Sequence, residues 1–201
     1  MTTATLQFWF EFASPYSYIA AMRIEGLCRE AGVPMVWRPF LLGPIFALRG
    51  WPTSHFNLNE RRGKYMWRDM ERLTEKYRLP WNRPSVFPRN AVLAARVAAA
   101  FENAPWISQF VASAFYANFR DDEDLNSDVV IAKLLRACGA DAQTVLSAAV
   151  NTHRRNCLRR NTTEAIERGV FGAPNCVVGD ELFWGEEALE DAVAWAVRRG
   201  A

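Results

Sequence analysis

Residues 5–31 read TLQFWFEFASPYSYIAAMRIEGLCREA. Leu6, Phe8, Phe10 and Phe12 alternate with Gln7, Trp9 and Glu11, a period of two in β-forming residues that predicts a strand. Ser14-Pro15 follows at once. Serine is a favoured N-cap, and proline suits the first helical position because its missing N–H has no partner to lose there. Tyr16, Ala20, Ile24 and Leu27 then recur at helical spacing until Gly32 supplies a stop. The segment is strand, tight turn, helix, with Ser14 at the helix N-terminus. Unpaired backbone N–H groups and the positive end of the helix dipole meet there, so the turn suits an anion. A serine that only caps its helix reads the same way from this segment alone.

The 201 residues suit one domain, or one domain carrying an insertion. Half are apolar and 13% are aromatic, enough for a substantial core. The 24 basic and 22 acidic residues leave a net charge of only +2. The arginine pairs at 61–62, 154–155, 159–160 and 198–199 are short and scattered, which suits solvated helix faces and no nucleic-acid partner. No apolar run approaches the roughly 18 residues that span a bilayer, so no membrane partner is expected. The opening MTTATLQFWFEF has neither a basic leader nor a cleavage pattern, so export is not expected. Cys28, Cys138, Cys157 and Cys176 stand apart, and read as reduced thiols of a cytoplasmic protein, each a small buried hydrophobe. His55 and His153 lack partners at ligand spacing, so no metal site is expected. The acidic run at 121–124 is a solvated loop rather than a calcium site.

Beyond Gly32, residues 33–40 (VPMVWRPF) predict a second strand. A strand, helix, strand unit of this length is a right-handed parallel crossover. Residues 41–52 (LLGPIFALRGWP) form a loop too apolar to stand in water, which should line a cleft or an interface. From about residue 60 to 168 the signals are helical. Met66, Met70, Leu73 and Tyr77 mark one helix, ending before Pro80. Asn90 caps an alanine-rich one. Trp106, Phe110, Ala114 and Phe115 mark another. Asp128 caps a short helix, and Asp141 a longer one that runs through Val145, Ala149 and Cys157. Thr162 or Thr163 caps the last, which stops at Gly169. Strand signals return at 175–178, and Gly179-Asp180 turns into 181–184 as a hairpin. A final helix carries Leu189 and Val193.

The order is βαβ, a helical block, then ββα. It predicts an α/β thioredoxin-like fold with a large all-helical insertion between the βαβ and ββα halves. Residues 1–43 and 170–201 form the thioredoxin-like domain, and residues 44–169 the insertion. In that fold the turn after the first strand faces the residue before the third, here Ser14 and the segment 170–174 (VFGAP). Thioredoxin-like proteins keep a cis-proline at this point, which leaves the preceding backbone free to pair with an extended peptide. A cis Ala173–Pro174 bond is therefore expected, although cis is the minority state of such bonds.

FEFASPYSYIAA near the start, LLGPIF, KYMWRDMER, FPRN, and GVFGAPNCVVGDELFWGEEALE near the end together resemble the glutathione-dependent 2-hydroxychromene-2-carboxylate isomerases. These are relatives of kappa-class glutathione transferases and of the DsbA-like oxidoreductases, and the resemblance covers nearly the whole chain. Where disulfide oxidoreductases carry C-x-x-C, residues 14–17 are SPYS. Hydroxyls cannot cycle through a disulfide, so dithiol redox chemistry is excluded at this turn. The resemblance implies instead that Ser14 donates a hydrogen bond to the thiolate of bound glutathione, aided by the helix N-terminus, and so lowers the thiol pKa.

The resemblance also implies how glutathione is held. Ala173 and Pro174 meet the cysteinyl unit. Trp184, Gly185, Glu186 and Glu187 meet the γ-glutamyl end, with Glu187 at the position that binds the ammonium and Glu186 as the alternative. Both glutamates also suit the first turn of a helix for electrostatic reasons alone. Arg62 or Lys64 meets the glycyl carboxylate. The acceptor pocket draws on Tyr16 or Tyr18, Phe46, Trp51, Asn57, Arg89 and Asn90. Two positions depart from the family pattern: Ala47 stands where many members have lysine, and Trp51 where many have asparagine, which makes the pocket less polar. The implied protein is a cytoplasmic homodimer in aromatic catabolism. The thiol of glutathione, its cofactor, adds to a conjugated carbon of an aromatic-derived enone acid and is expelled after rotation or ring opening. A glutathione transferase and a non-catalytic thioredoxin-fold binding protein are the other readings.

Overall fold

The computed structural model describes residues 3–200, and of Thr152 and His153 the backbone alone, so the reading of the His153 side chain lies outside the described residues. In chain order the elements are β1 (Leu6–Phe10), α1 (Pro15–Glu30), β2 (Met35–Pro39), α2 (Leu42–Ala47), α3 (His55–Leu58), α4 (Glu60–Tyr77) and α5 (Val92–Ala100). There follow α6 (Ile107–Phe119), α7 (Asp128–Ala137), α8 (Ala142–Val150), α9 (Thr152–Glu167), β3 (Asn175–Val178), β4 (Glu181–Trp184) and α10 (Leu189–Arg199).

β1 and β2 run parallel, with Leu6 opposite Met35 and Phe10 opposite Pro39. β3 pairs antiparallel with the other edge of β1, and β4 antiparallel with β3, giving the order β2-β1-β3-β4. This is the thioredoxin arrangement, with α2 to α9 between its two halves. β1 ends two residues earlier than its alternation predicts. The Ser14 N–H donates to the Glu11 carbonyl oxygen at 3.0 Å, which closes a turn and takes that carbonyl out of the ladder.

The alternation in β1 reports two buried faces. Phe8, Phe10 and Phe12 belong to the main core, which also holds Ile19 and Ile24 of α1, Phe115 of α6 and Ala192 of α10. Trp9 points the other way, into a smaller cluster with Phe40, Ile45, Ala165 and Val177. The helical block is not a separate core. The Phe115 ring lies 5.0 Å from Phe12 and 5.9 Å from Phe10, and Phe119 stacks on Tyr18 at 5.4 Å.

The helical block departs from its sequence reading in places. The apolar stretch 41–52 holds the short α2, and α3 follows before α4. The helix capped by Asp141 does not run through Cys157. Its Oδ1 accepts from the Gln143 and Thr144 N–H groups, but Asn151 turns extended and splits α8 from α9. Thr162 and Thr163 lie inside α9 and cap nothing. The Thr162 hydroxyl donates to the Leu158 carbonyl one turn back at 2.9 Å, a bond that lets threonine sit within a helix. Ala91 holds the N-cap position of α5, with the Asn90 side-chain Oδ1 accepting the Val92 N–H from one residue earlier. Asp128 is the first residue of α7 rather than its cap, which is Ser127.

Candidate functional site

Ser14 leaves β1 in an extended conformation, and Pro15 opens α1. The Ser14 hydroxyl accepts the Ser17 N–H at 3.1 Å, the expected cap. It also donates to the Ala173 carbonyl at 3.1 Å, across 159 residues of chain. The Ala173–Pro174 bond is cis, and so is Phe87–Pro88. Asn175 Nδ2 donates to the Gly172 carbonyl at 2.6 Å and braces the loop that ends in Pro174. The Pro174 carbonyl accepts the Gly185 N–H at 3.1 Å. The Ala173 N–H has no partner among the described residues, which leaves it available to a peptide-like ligand.

These groups open onto one cleft of about 990 Å³, large enough for two small molecules side by side. Ser14 and Tyr16 stand on one wall and Ala173 and Pro174 face them. Trp184, Gly185, Glu186 and Glu187 continue that side, while Phe46, Arg62, Arg89 and Asn90 bound the rest. Two glycines keep the walls close. A Cβ on Gly172 would lie 2.7 Å from the Trp184 indole nitrogen. Gly185 has φ +102°, where a side chain is strained, and the Glu187 carboxylate folds over it.

Three expected pocket residues lie elsewhere. Tyr18 is fully buried, donates to the Pro80 carbonyl at 2.6 Å and packs on Phe119. It is two residues from Tyr16 on α1, so the helix turns it to the opposite side. Trp51 packs behind the cleft on Phe46, at 5.9 Å between rings. Asn57 is exposed and donates to the Phe87 carbonyl at 3.0 Å, tying α3 to the loop before Pro88. Ala47, which stands where many members of the family carry lysine, is exposed and off the cleft as well. Positions 47 and 51 therefore do not set the polarity of this pocket.

The alternatives left open by sequence separate by their partners. Glu186 is buried and held by Arg23, whose guanidinium donates to its carboxylate at 2.6 Å and to its carbonyl at 3.1 Å. Glu187 is exposed and has no ion pair among the described residues. Lys64 points away and pairs with Glu60 at 2.7 Å, whereas Arg62 reaches the cleft. Arg89 is already engaged by Asp122 and by Asn118 Oδ1 at 2.9 Å. The buried Asn118 in turn donates to the Phe12 carbonyl at 3.0 Å, which links Arg89 to the turn carrying Ser14.

Four titratable cleft residues escaped the sequence reading: Glu11, His55, Tyr65 and Asp69. Tyr16 donates to Asp69 at 3.0 Å, and burial together with that carboxylate pushes the phenol pKa up, so Tyr16 stays neutral. His55 begins α3 and stacks on Phe56 at 4.0 Å. Burial and then Arg62 and Arg49 hold its pKa below the ordinary value, so it too is neutral near pH 7. Glu11 accepts the Leu42 N–H at 2.6 Å, and burial pushes its pKa up to about 7. Glu11 lies within FEFASPYSYIAA, and Tyr65 and Asp69 within KYMWRDMER, while His55 lies outside the stretches that carry the resemblance. None of the four carries a local signal for its place in the cleft, because burial is set by distant segments.

The cleft thus offers a hydroxyl beside a helix N-terminus, an unpaired backbone N–H, the Glu187 carboxylate, the Arg62 guanidinium and aromatic walls. No cysteine lines it. Among the described residues no group of three potential metal ligands occurs, and no helix is long and apolar enough to cross a membrane.

Residues 5–194 match the model of the DSBA-like thioredoxin domain. Over 196 residues the chain is 29% identical to a 2-hydroxychromene-2-carboxylate isomerase of Sphingobium xenophagum, covering 94% of this chain and 95% of that one. It is 27% identical to a protein of the same name from Pseudomonas putida, over 98% of this chain and 97% of the other. A solved structure of a 2-hydroxychromene-2-carboxylate isomerase superposes with a TM-score of 0.85 at 22% identity, covering 97% of both chains.

Proposed function

For this chain, which belongs to the DSBA-like thioredoxin family, we propose the function of a glutathione-dependent isomerase acting on 2-hydroxychromene-2-carboxylate or a similar aromatic-derived enone acid. The relatives of that name, matched along nearly their whole length, support an isomerase of aromatic catabolism. The observation that carries the cofactor is the Ser14 hydroxyl at the N-terminus of α1, 3.1 Å from the Ala173 carbonyl and with no cysteine in the cleft. The four cysteines are free, which suits a reducing cytoplasm.

The residues present fit glutathione. The unpaired Ala173 N–H suits its cysteinyl backbone, the free Glu187 carboxylate its ammonium, and Arg62 its glycyl carboxylate. Gly172 and Gly185 leave the room that side chains would fill. Bound there, glutathione supplies a nucleophilic thiolate that can add to a conjugated carbon and be expelled. Ser14 contributes a hydrogen-bond donor once its hydroxyl turns from the Ala173 carbonyl, and the α1 dipole favours the same negative charge. Tyr16, held by Asp69, and the neutral His55 present polar but uncharged groups to the acceptor side. Phe46 and Phe56 supply apolar walls that exclude water.

Calorimetric titration with glutathione, followed by incubation with 2-hydroxychromene-2-carboxylate with and without it, tests the reading. Substrate absorbance should shift only with glutathione present, and total thiol should stay constant. Consumption of thiol would identify a transferase instead. A folded protein that gives no heat with glutathione would be a binding module of another kind.

A further inference from the structure

We propose that Glu11 carries the proton of a ring-opening step in this cleft, an inference that rests on the isomerase reading above. Glu11 lies on the cleft wall three residues before Ser14. The same turn fixes both: its carbonyl accepts the Ser14 N–H at 3.0 Å, and its own N–H donates to the Ser17 hydroxyl at 3.4 Å. Its carboxylate accepts one bond, from the Leu42 N–H at 2.6 Å. No cation pairs with it among the described residues.

The surrounding elements explain why it stands alone. α2 and the segment 172–174 bring no titratable group to the cleft. α1 brings Tyr16, α3 His55, α4 Arg62, Tyr65 and Asp69, the segment before α5 Arg89, and the segment after β4 Glu186 and Glu187. Arg89 is taken by Asp122, Glu186 by Arg23, and Asp69 by Arg72 at 2.8 Å and Tyr16 at 3.0 Å. A residue needed only to accept the Leu42 N–H has no use for a charge, and glutamine would do so without the desolvation penalty of a carboxylate. Burial moves the Glu11 titration to about pH 7, where both of its forms are populated near neutrality.

The compound in the relatives' name carries a hydroxyl and the ring oxygen on one carbon, which makes it a hemiketal. Ionised Glu11 takes the hydroxyl proton, and the freed electron pair becomes the carbonyl double bond. The bond from that carbon to the ring oxygen breaks, and its electrons pass to the oxygen as a phenolate. The proton on Glu11 then moves to the phenolate, giving a phenol and restoring the carboxylate. Nothing is oxidised or reduced, and no co-reactant is consumed.

The variant E11Q keeps an acceptor oxygen for the Leu42 N–H and removes the titrating proton. Wild type and E11Q are given 2-hydroxychromene-2-carboxylate over a pH series, with phenol absorbance reporting ring opening and calorimetry reporting glutathione affinity. The expected result is a fall in kcat of about 100-fold, loss of the inflection near neutrality from kcat/KM, and an unchanged glutathione Kd. E11D should recover part of the rate. Matching rates and profiles in wild type and E11Q overturn the proposal and leave the isomerase intact. Loss of glutathione binding in E11Q also overturns it, since Glu11 would then be a structural support. A wild-type protein that leaves the compound unopened removes the isomerase reading and this proposal together.

Discussion

The Ser14 hydroxyl donates to the Ala173 carbonyl at 3.1 Å, so the turn that opens α1 and the residue before Pro174 share one hydrogen bond across 159 residues. The same oxygen accepts the Ser17 N–H. One hydroxyl therefore caps a helix, joins two sides of the cleft and, in the proposed function, would face the thiolate. S14A should lose the charge-assisted bond, worth about 1.5–3 kcal/mol, and with it about 10- to 100-fold in turnover. Glutathione binding should persist, and the pKa of the bound thiol, read by ultraviolet thiolate absorbance, should rise. Full turnover in S14A would falsify the role given to that hydroxyl.

The two neighbouring glutamates should behave differently. Glu187 is free, so E187Q should weaken glutathione about tenfold with little change in thermal stability. Glu186 is buried against Arg23, so R23M should strand its carboxylate and destabilise the fold by about 3 kcal/mol. Titration calorimetry and urea melts on both variants separate the roles. Equal losses of affinity would show that the free carboxylate has no special part.

Glu11 also makes stability depend on pH. Its folded pKa of about 7 lies above the ordinary carboxyl value of 4.5, so the folded state holds the proton more tightly than the unfolded chain. Its contribution is fully present below about 4.5, falls as pH rises towards 7, and is level beyond that. E11Q lacks this loss. Relative to wild type it should gain up to about 3 kcal/mol between acidic and mildly basic solution. Urea melts at the two ends check this, and a wild-type to E11Q gap that stays constant with pH would refute it.

Phe115 joins the helical block to the sheet, through Phe10, Phe12 and Tyr18. F115A should cost about 3–5 kcal/mol and leave a cavity between the two parts. Because they share one core, calorimetry should show a single unfolding transition that moves to lower temperature. Two separated transitions would mean that the parts unfold independently.

Several features of this molecule are legible in short stretches of chain. The period of two in 6–12, Ser14-Pro15 and the Gly179-Asp180 turn specify their elements because the signals act within a few residues. The order of those elements then constrains the topology to few solutions, which is why Ser14 could be placed opposite Pro174. Local signals mislead most often in the helical block. Thr162 looks like a cap, yet its hydroxyl bonds back one turn inside α9. Asn151 breaks a helix that its neighbours' periodicity would continue.

Local pattern thus decides that there is a β1, an α1, a capped turn between them and a hairpin at the far end. It cannot decide which of two nearby side chains meets the cleft. Tyr16 faces it while Tyr18 is buried, and Arg62 reaches it while Lys64 pairs with Glu60. Residues two apart on a helix point to opposite sides, and only packing against other elements determines which side is the cleft. Glu11 shows the same limit in its chemistry. Its residue type is plain in the chain, but its raised pKa arises from burial beside Leu42, 31 residues away, and burial is a property of the assembled fold.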